Sequence, residues 1–168
     1  MLINFLRLLP PEIAHELTIK LLKSNFNFLN KKNEEFNSLK QKILGINFPN
    51  PIGLAAGFDK NAEVINQMLS YGFGFVEVGT ITPKPQKGNQ KPRIFRLLED
   101  EAVINHLGFN NEGSDKVLKN LKSFYETNNL GGIVGINIGK NKSTQNDIDD
   151  YIYCIEKLGE YGNYITIN

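Results

Sequence analysis

These 168 residues contain no tryptophan, two methionines, two histidines and a single cysteine. A lone cysteine, Cys154, excludes an internal disulfide and suits a reducing compartment. His15 and His106 stand far apart with no Cys or His beside them, so a zinc site is unsupported and no metal is expected. No apolar run approaches the roughly 20 residues needed to cross a bilayer. The first stretch, Met1 to Leu9 (MLINFLRLL), is broken by Arg7 and closed by Pro10 and Pro11. It is too poor in Arg and Ser for a transit peptide and no secretory signal is visible, so a bacterial-type product with no cleaved address is expected. Charge of one sign is missing too. Nineteen basic against eighteen acidic side chains leave +1, which offers no broad field for a phosphate backbone, and nucleic acid is not an expected partner.

What is present is an ordinary globular composition, 40% hydrophobic and 22% charged, long enough for one folding unit with a core. Pro11 suits the first turn of a helix and Glu12 the favourable end of its dipole, so a helix is expected from Pro11 to about Lys23. Its apolar positions Ile13, Ala14, Leu17 and Leu21 recur at helical spacing. The pattern leaves two readings open: a cap on the body of the protein, or an element that meets a membrane surface. The seven Lys or Arg and four Glu of residues 1–42 favour an anionic lipid surface. Asn25 to Lys42 reads as a polar connector with one helical turn, and a boundary near Lys40 separates an N-terminal segment (1–40) from a body (41–168).

Within the body, apolar runs at Ile52–Ala56, Phe75–Val78, Ile133–Ile138 and Tyr164–Ile167 alternate with amphipathic stretches at Ala62–Tyr71, Ser114–Thr127 and Ile148–Glu160. Strand followed by helix, repeated, implies parallel strands with crossovers. An insertion from about Ile81 to Glu112 carries Pro83, Pro85, Gly88 and Pro92, then a hairpin-like pair of runs, RIFRLL and AVIN. Its length marks it as functional.

Each run ends in or is followed by a distinctive polar residue: Lys60, Thr80, Asn137 and Asn168. Parallel strands open their carboxyl ends on one face, where β/α barrels keep their sites, so the four are expected to converge. Singly, each also reads as an exposed lysine, a strand-end hydroxyl or a turn-forming amide. GINIGKN misses the phosphate-loop spacing, and Gly72 and Gly74 precede a strand where a dinucleotide fingerprint would follow one. His15 is expected on a helix surface, and Cys154, mid-helix among apolar residues, in the core.

Four blocks carry a family resemblance: NPIGLAAGFDKNAE (Asn50 to Glu63), GFGFVEVGTITPKPQKGNQKPRIFRL (Gly72 to Leu97), INHLGFNNEG (Ile104 to Gly113) and GINIGKNK (Gly135 to Lys142). Together they resemble the successive signatures of dihydroorotate dehydrogenases, and the N-terminal helices resemble those of the quinone-reducing, membrane-associated class 2. The resemblance implies a (β/α)8 TIM barrel holding FMN, of which this chain covers the first four strands after a small helical segment. In class 2 that segment forms a quinone tunnel next to the flavin. By position, Ala56, Gly57, Phe58, Asp59, Lys60, Thr80, Asn137 and Asn168 would contact FMN. Lys60, Asn105, His106, Leu107, Gly108, Phe109 and Asn168 would border the dihydroorotate or orotate ring. His106 departs from the pattern, since many relatives carry Arg there.

The implied reaction oxidises (S)-dihydroorotate to orotate in pyrimidine (UMP) biosynthesis, losing a proton from C5 to a base and a hydride from C6 to the flavin, with quinone as final acceptor. The serine base of class 2 falls beyond residue 168, so no catalytic base is expected within this chain. Alone, the chain is expected to be inactive. Peripheral association with the cytoplasmic side of the cell membrane follows from the class. The alternatives are a class 1-type FMN barrel that uses fumarate or NAD, and an inactive fragment that acts at most as a binding module.

Overall fold

The computed structural model describes residues 6–24, 37–127 and 131–168. Residues 1–5 of the apolar stretch and 25–36 of the expected connector lie outside these; residues 6–8 are helical. Helix α1 (Pro11–Lys23) has Pro11 in its first turn, Glu12 beside it, and Lys20 and Lys23 in its last, which matches the helix dipole at both ends. Its buried residues are Ala14, Ile19 and Leu22; of the expected stripe Ala14 is buried and Leu17 and Leu21 are half-buried. Ile13 is 52% exposed. Ile19 and Leu22 belong to the main core cluster, so α1 is packed on the body and shares its core.

Strands β1 (Gln41–Ile43) and β2 (Ile46–Phe48) form an antiparallel hairpin within the supposed connector and just after it. Four parallel strands follow: β3 (Gly53–Leu54), β4 (Phe75–Ile81), β7 (Ile133–Ile138) and β8 (Tyr164–Ile167), hydrogen-bonded in the order β3-β4-β7-β8. Between them run α2 (Ile65–Ser70), α3 (Ser114–Thr127) and α4 (Asp147–Leu158). The strand order never reverses, as it would in a doubly wound sheet, and this sequential order is that of a barrel. β5 (Ile94–Leu97) and β6 (Ala102–Asn105) form the hairpin of the insertion.

Alternate residues of a strand point to opposite faces. One face of the parallel sheet supplies Val76, Val78, Val134, Ile136 and Ile138, which pack with Ile65, Met68, Val117, Leu121, Cys154 and Leu158 of the helices in one buried cluster. Each such side chain contributes roughly 1.5–3 kcal/mol when fully buried. The other face carries Glu77, Asn137, Tyr164 and Thr166, with Phe48 of β2 packed edge-on against Phe75 near the amino ends. Cys154 is buried and its thiol is pushed up to about 12 by burial and by Asp150.

The expected helix at Ala62 begins three residues later. Ala62 has φ 58°, a left-handed conformation that cannot propagate a right-handed helix. The first parallel strand is also shorter than Ile52–Ala56, because only Gly53 and Leu54 pair with β4.

Candidate functional site at the carboxyl ends of the strands

Three of the four expected residues meet. The Thr80 hydroxyl donates to Asn137 Oδ1 at 2.7 Å, and Asn168 Nδ2 donates to Thr80 Oγ1 at 3.0 Å and to Asn137 Oδ1 at 3.2 Å. The turn that makes this possible needs glycine. Gly79 has φ +120°, and a Cβ there would collide with the carbonyl of Asn137. Below the triad sits Glu77, which the sequence reading did not single out. Its Oε1 accepts Asn137 Nδ2 at 2.8 Å, while Oε2 accepts the hydroxyls of Tyr164 (3.1 Å) and Thr166 (3.0 Å). Burial, and then the Glu77 charge, push the Tyr164 hydroxyl well above the usual range.

The loop after β3 runs beside this cluster. Gly57 N–H donates to Gly79 O at 2.8 Å, and Gly79 N–H donates to Asp59 O at 3.1 Å. Gly57 has φ +106° with nothing within 4 Å of a Cβ built on it, so bare backbone faces open space. Asp59 is only 1% exposed, and both its carboxylate oxygens accept backbone N–H groups, of Glu63 and Val64. Its side chain therefore organises the turn before α2.

Lys60 is half-buried and lines a cavity of about 610 Å³ bordered by α1. Among the described residues its Nζ has no hydrogen-bond partner. Burial holds its pKa below the ordinary lysine value, with Arg93 acting in the same direction and Glu12 against it. His15 lines the same cavity and is not the plain surface residue expected: its Nε2 donates to Phe58 O at 2.6 Å and its ring meets Phe58 edge-on. Burial and then the Lys60 charge hold His15 below its ordinary value. Asn110 adds a buried Oδ1 without a partner among the described residues.

Arg93 is 5% exposed and anchors this wall. It donates to Glu12 Oε1 through Nη2 (2.5 Å) and Nε (3.2 Å), and through Nη1 to the carbonyls of Lys87 and Asn89. Arg96 donates to the carbonyls of Arg7 and Leu9. The insertion thus holds the N-terminal segment by two arginines.

The insertion is in turn fixed by amides that sequence reasoning passed over. Asn111 Nδ2 bonds Thr82 Oγ1 and the Phe109 carbonyl, while Asn141 pairs with the Lys84 backbone. Both lie in blocks that carry the family resemblance, FNNEG and GKNK, but nothing in their spacing singles them out. Phe109 reaches the triad end, since a Cβ on Gly139 would touch both Phe109 and Thr80. Leu107 and Gly108 are held through their carbonyls by Asn89 and Gln86. His106 instead stacks on Phe95 at 5.8 Å, and Asn105 is exposed on β6, so neither belongs to the linked cluster. Among the described residues no group of His, Cys, Asp and Glu is placed to hold a metal ion, and no helix is long and apolar enough to cross a membrane.

Sequential parallel strands whose carboxyl ends gather amides, a hydroxyl and a lysine define part of a β/α-barrel protein with its site at the strand ends. Comparison with known proteins narrows this. The family model described as dihydroorotate dehydrogenase matches residues 38–168, and the chain belongs to that family. It is 49% identical to the dihydroorotate dehydrogenase (quinone) of Acinetobacter baylyi, across 95% of this chain and 47% of the relative. With the enzyme of that name from Rhodopseudomonas palustris identity is 50%, across 97% and 43%. The crystal structure of DHODH from Eimeria tenella in complex with ferulenol superimposes with a TM-score of 0.88 at 44% identity, covering 94% of this chain and 43% of that one. The chain thus spans less than half the length of these relatives, and its four-stranded sheet is part of a TIM barrel.

Proposed function

We propose that this chain is the amino-terminal part of an FMN-dependent enzyme that oxidises (S)-dihydroorotate to orotate and passes the electrons to a quinone, in pyrimidine biosynthesis. The observation that carries the proposal is the presence of the Thr80–Asn137–Asn168 cluster together with a half-buried Lys60, without a hydrogen-bond partner among the described residues, on the wall of a cavity bordered by α1. The residues fit FMN. Open backbone at Gly57 suits a flat ring, and side-chain amides, which donate and accept at once, suit its mixed edge. When bound, FMN supplies a two-electron acceptor that quinone can reoxidise.

The chain's own residues would then bind and orient. Lys60 offers a compact positive charge to a substrate carboxylate and to an anionic reduced ring, and the exclusion of water around it strengthens its attraction to such an anion. Asn168 offers an amide to the dihydroorotate ring edge, and Phe109 walls the mouth. The quinone acceptor is preferred to fumarate or NAD because both relatives carry quinone in their names, and because the cavity lies between α1 and Lys60. Leu8, 84% exposed, and Ile13 give the N-terminal segment an outward apolar side, which suits peripheral attachment at the cytoplasmic face of the cell membrane.

The test uses a polypeptide of the relatives' length that contains these residues, hereafter the full-length protein. It should release FMN on denaturation and form orotate from dihydroorotate only when a short-chain ubiquinone is present. Absence of flavin, or orotate formation supported by NAD or fumarate in place of ubiquinone, would overturn the proposal.

A further inference from the structure

We infer that Glu77 is a positioning residue that fixes the amide sense of Asn137 and, through it, of Asn168, so that the mouth of the site presents an acceptor oxygen at Asn168. The inference rests on the FMN reading for what occupies the mouth, but not for the orientation itself. An ionised carboxylate only accepts hydrogen bonds, and both Glu77 oxygens are engaged: Oε2 with the hydroxyls of Tyr164 and Thr166, Oε1 at 2.8 Å from the Asn137 amide. The edge of Asn137 facing Glu77 must therefore be its nitrogen.

Asn137 Oδ1 is then turned upward, where it accepts the Thr80 hydroxyl at 2.7 Å. With its proton committed, Thr80 Oγ1 has only lone pairs to offer Asn168. The Asn168 edge that meets Thr80 and Asn137 must thus also be its nitrogen, at 3.0 and 3.2 Å. Its Oδ1 is directed away from the cluster, and the ligand edge it meets must supply a ring N–H. A single carboxylate on the inner face of β4 sets the polarity of two amides on two other strands. Inverting either amide would set donor against donor or acceptor against acceptor around Asn137, which is buried, so that unsatisfied groups there are costly.

The test reverses the polarity in the full-length protein. Asn137→Asp confronts Glu77 with a second acceptor and should weaken FMN binding roughly ten- to hundredfold. Adding Glu77→Gln offers a carboxamide nitrogen to the carboxylate introduced at position 137 and leaves the carboxamide oxygen for Tyr164 and Thr166. The double variant should therefore recover FMN affinity to within about threefold of Glu77→Gln alone. The visible flavin spectrum should recover with it, and the melting temperature of the flavin-free protein should show the same rescue. A double variant that binds and melts no better than Asn137→Asp, or an Asn137→Asp protein that behaves as wild type, would overturn the inference. Rescue in melting temperature with no flavin bound by the wild type would leave the orientation standing and remove the FMN reading.

Discussion

Replacing Glu12 by alanine takes away the only carboxylate that meets Arg93 among the described residues. Arg93 is nearly buried and Glu12 borders the cavity. Breaking a buried pair by removing one partner typically costs about 3–5 kcal/mol. Two features lower the figure here. Arg93 keeps the carbonyls of Lys87 and Asn89, and the cavity lets solvent screen what remains. The expected loss is therefore about 2 kcal/mol in the urea unfolding free energy of the full-length protein at pH 7. Burial raises the pKa of Glu12, but the hydrogen bonds and charges of Arg93 and Lys91 outweigh it, so the folded value lies below the ordinary one. A depressed carboxyl contributes stability that is present above its unfolded pKa and lost as pH falls through the folded pKa. The gap between wild type and Glu12→Ala should therefore be widest near neutral pH and narrow below about pH 4.3. A difference under about 0.5 kcal/mol at pH 7, or one that stays constant into acid, would refute the reasoning.

Three other outcomes follow from the same structure. Lys60→Ala should slow reduction of the flavin by dihydroorotate roughly tenfold to a few hundredfold, the loss of a charge-assisted contact of about 2–3 kcal/mol; a stopped-flow rate within twofold of wild type would reduce Lys60 to a surface lysine. Deleting residues 1–24 removes α1 and the cavity wall with His15, so ubiquinone turnover should vanish while dihydroorotate still bleaches the flavin. Unchanged quinone kinetics would sink the class 2 assignment. The 168 residues made alone should neither hold FMN nor oxidise dihydroorotate, because β3 and β8 are open sheet edges and Ile167 is 66% exposed; a monodisperse yellow product on gel filtration would contradict this.

Much of the fold was legible because period and punctuation agreed. β7, β8, α1 and α3 begin and end where apolar spacing and Pro11 put them. The failures have local causes. The β1–β2 hairpin straddles the end of the expected connector and gives little signal, because its strands are three residues each and largely exposed. The buried side of α1 was misjudged because a half-buried helix chooses its inward face by tertiary fit: Ile19 and Leu22 enter the core while Ile13 stays out. In the site, strand-end placement identified Thr80, Asn137 and Asn168, which do meet. Glu77 escaped because a charged residue in a strand reads as solvent-facing, and only the strand partners reveal that its side of the sheet is lined by hydroxyls and an amide. Lys60, next to Asp59, whose carbonyl accepts Gly79 N–H, makes no side-chain hydrogen bond to the triad among the described residues and lines the cavity bordered by α1.

On the proposed reading these strand ends serve a flavin reduced by dihydroorotate and reoxidised by quinone. An anaerobic titration of the purified full-length protein, followed at the visible flavin band, tests it most directly. One equivalent of dihydroorotate per site should bleach the band, and one equivalent of ubiquinone should restore it. A band that dihydroorotate leaves unchanged, or one restored by NAD or fumarate and not by quinone, would contradict the account.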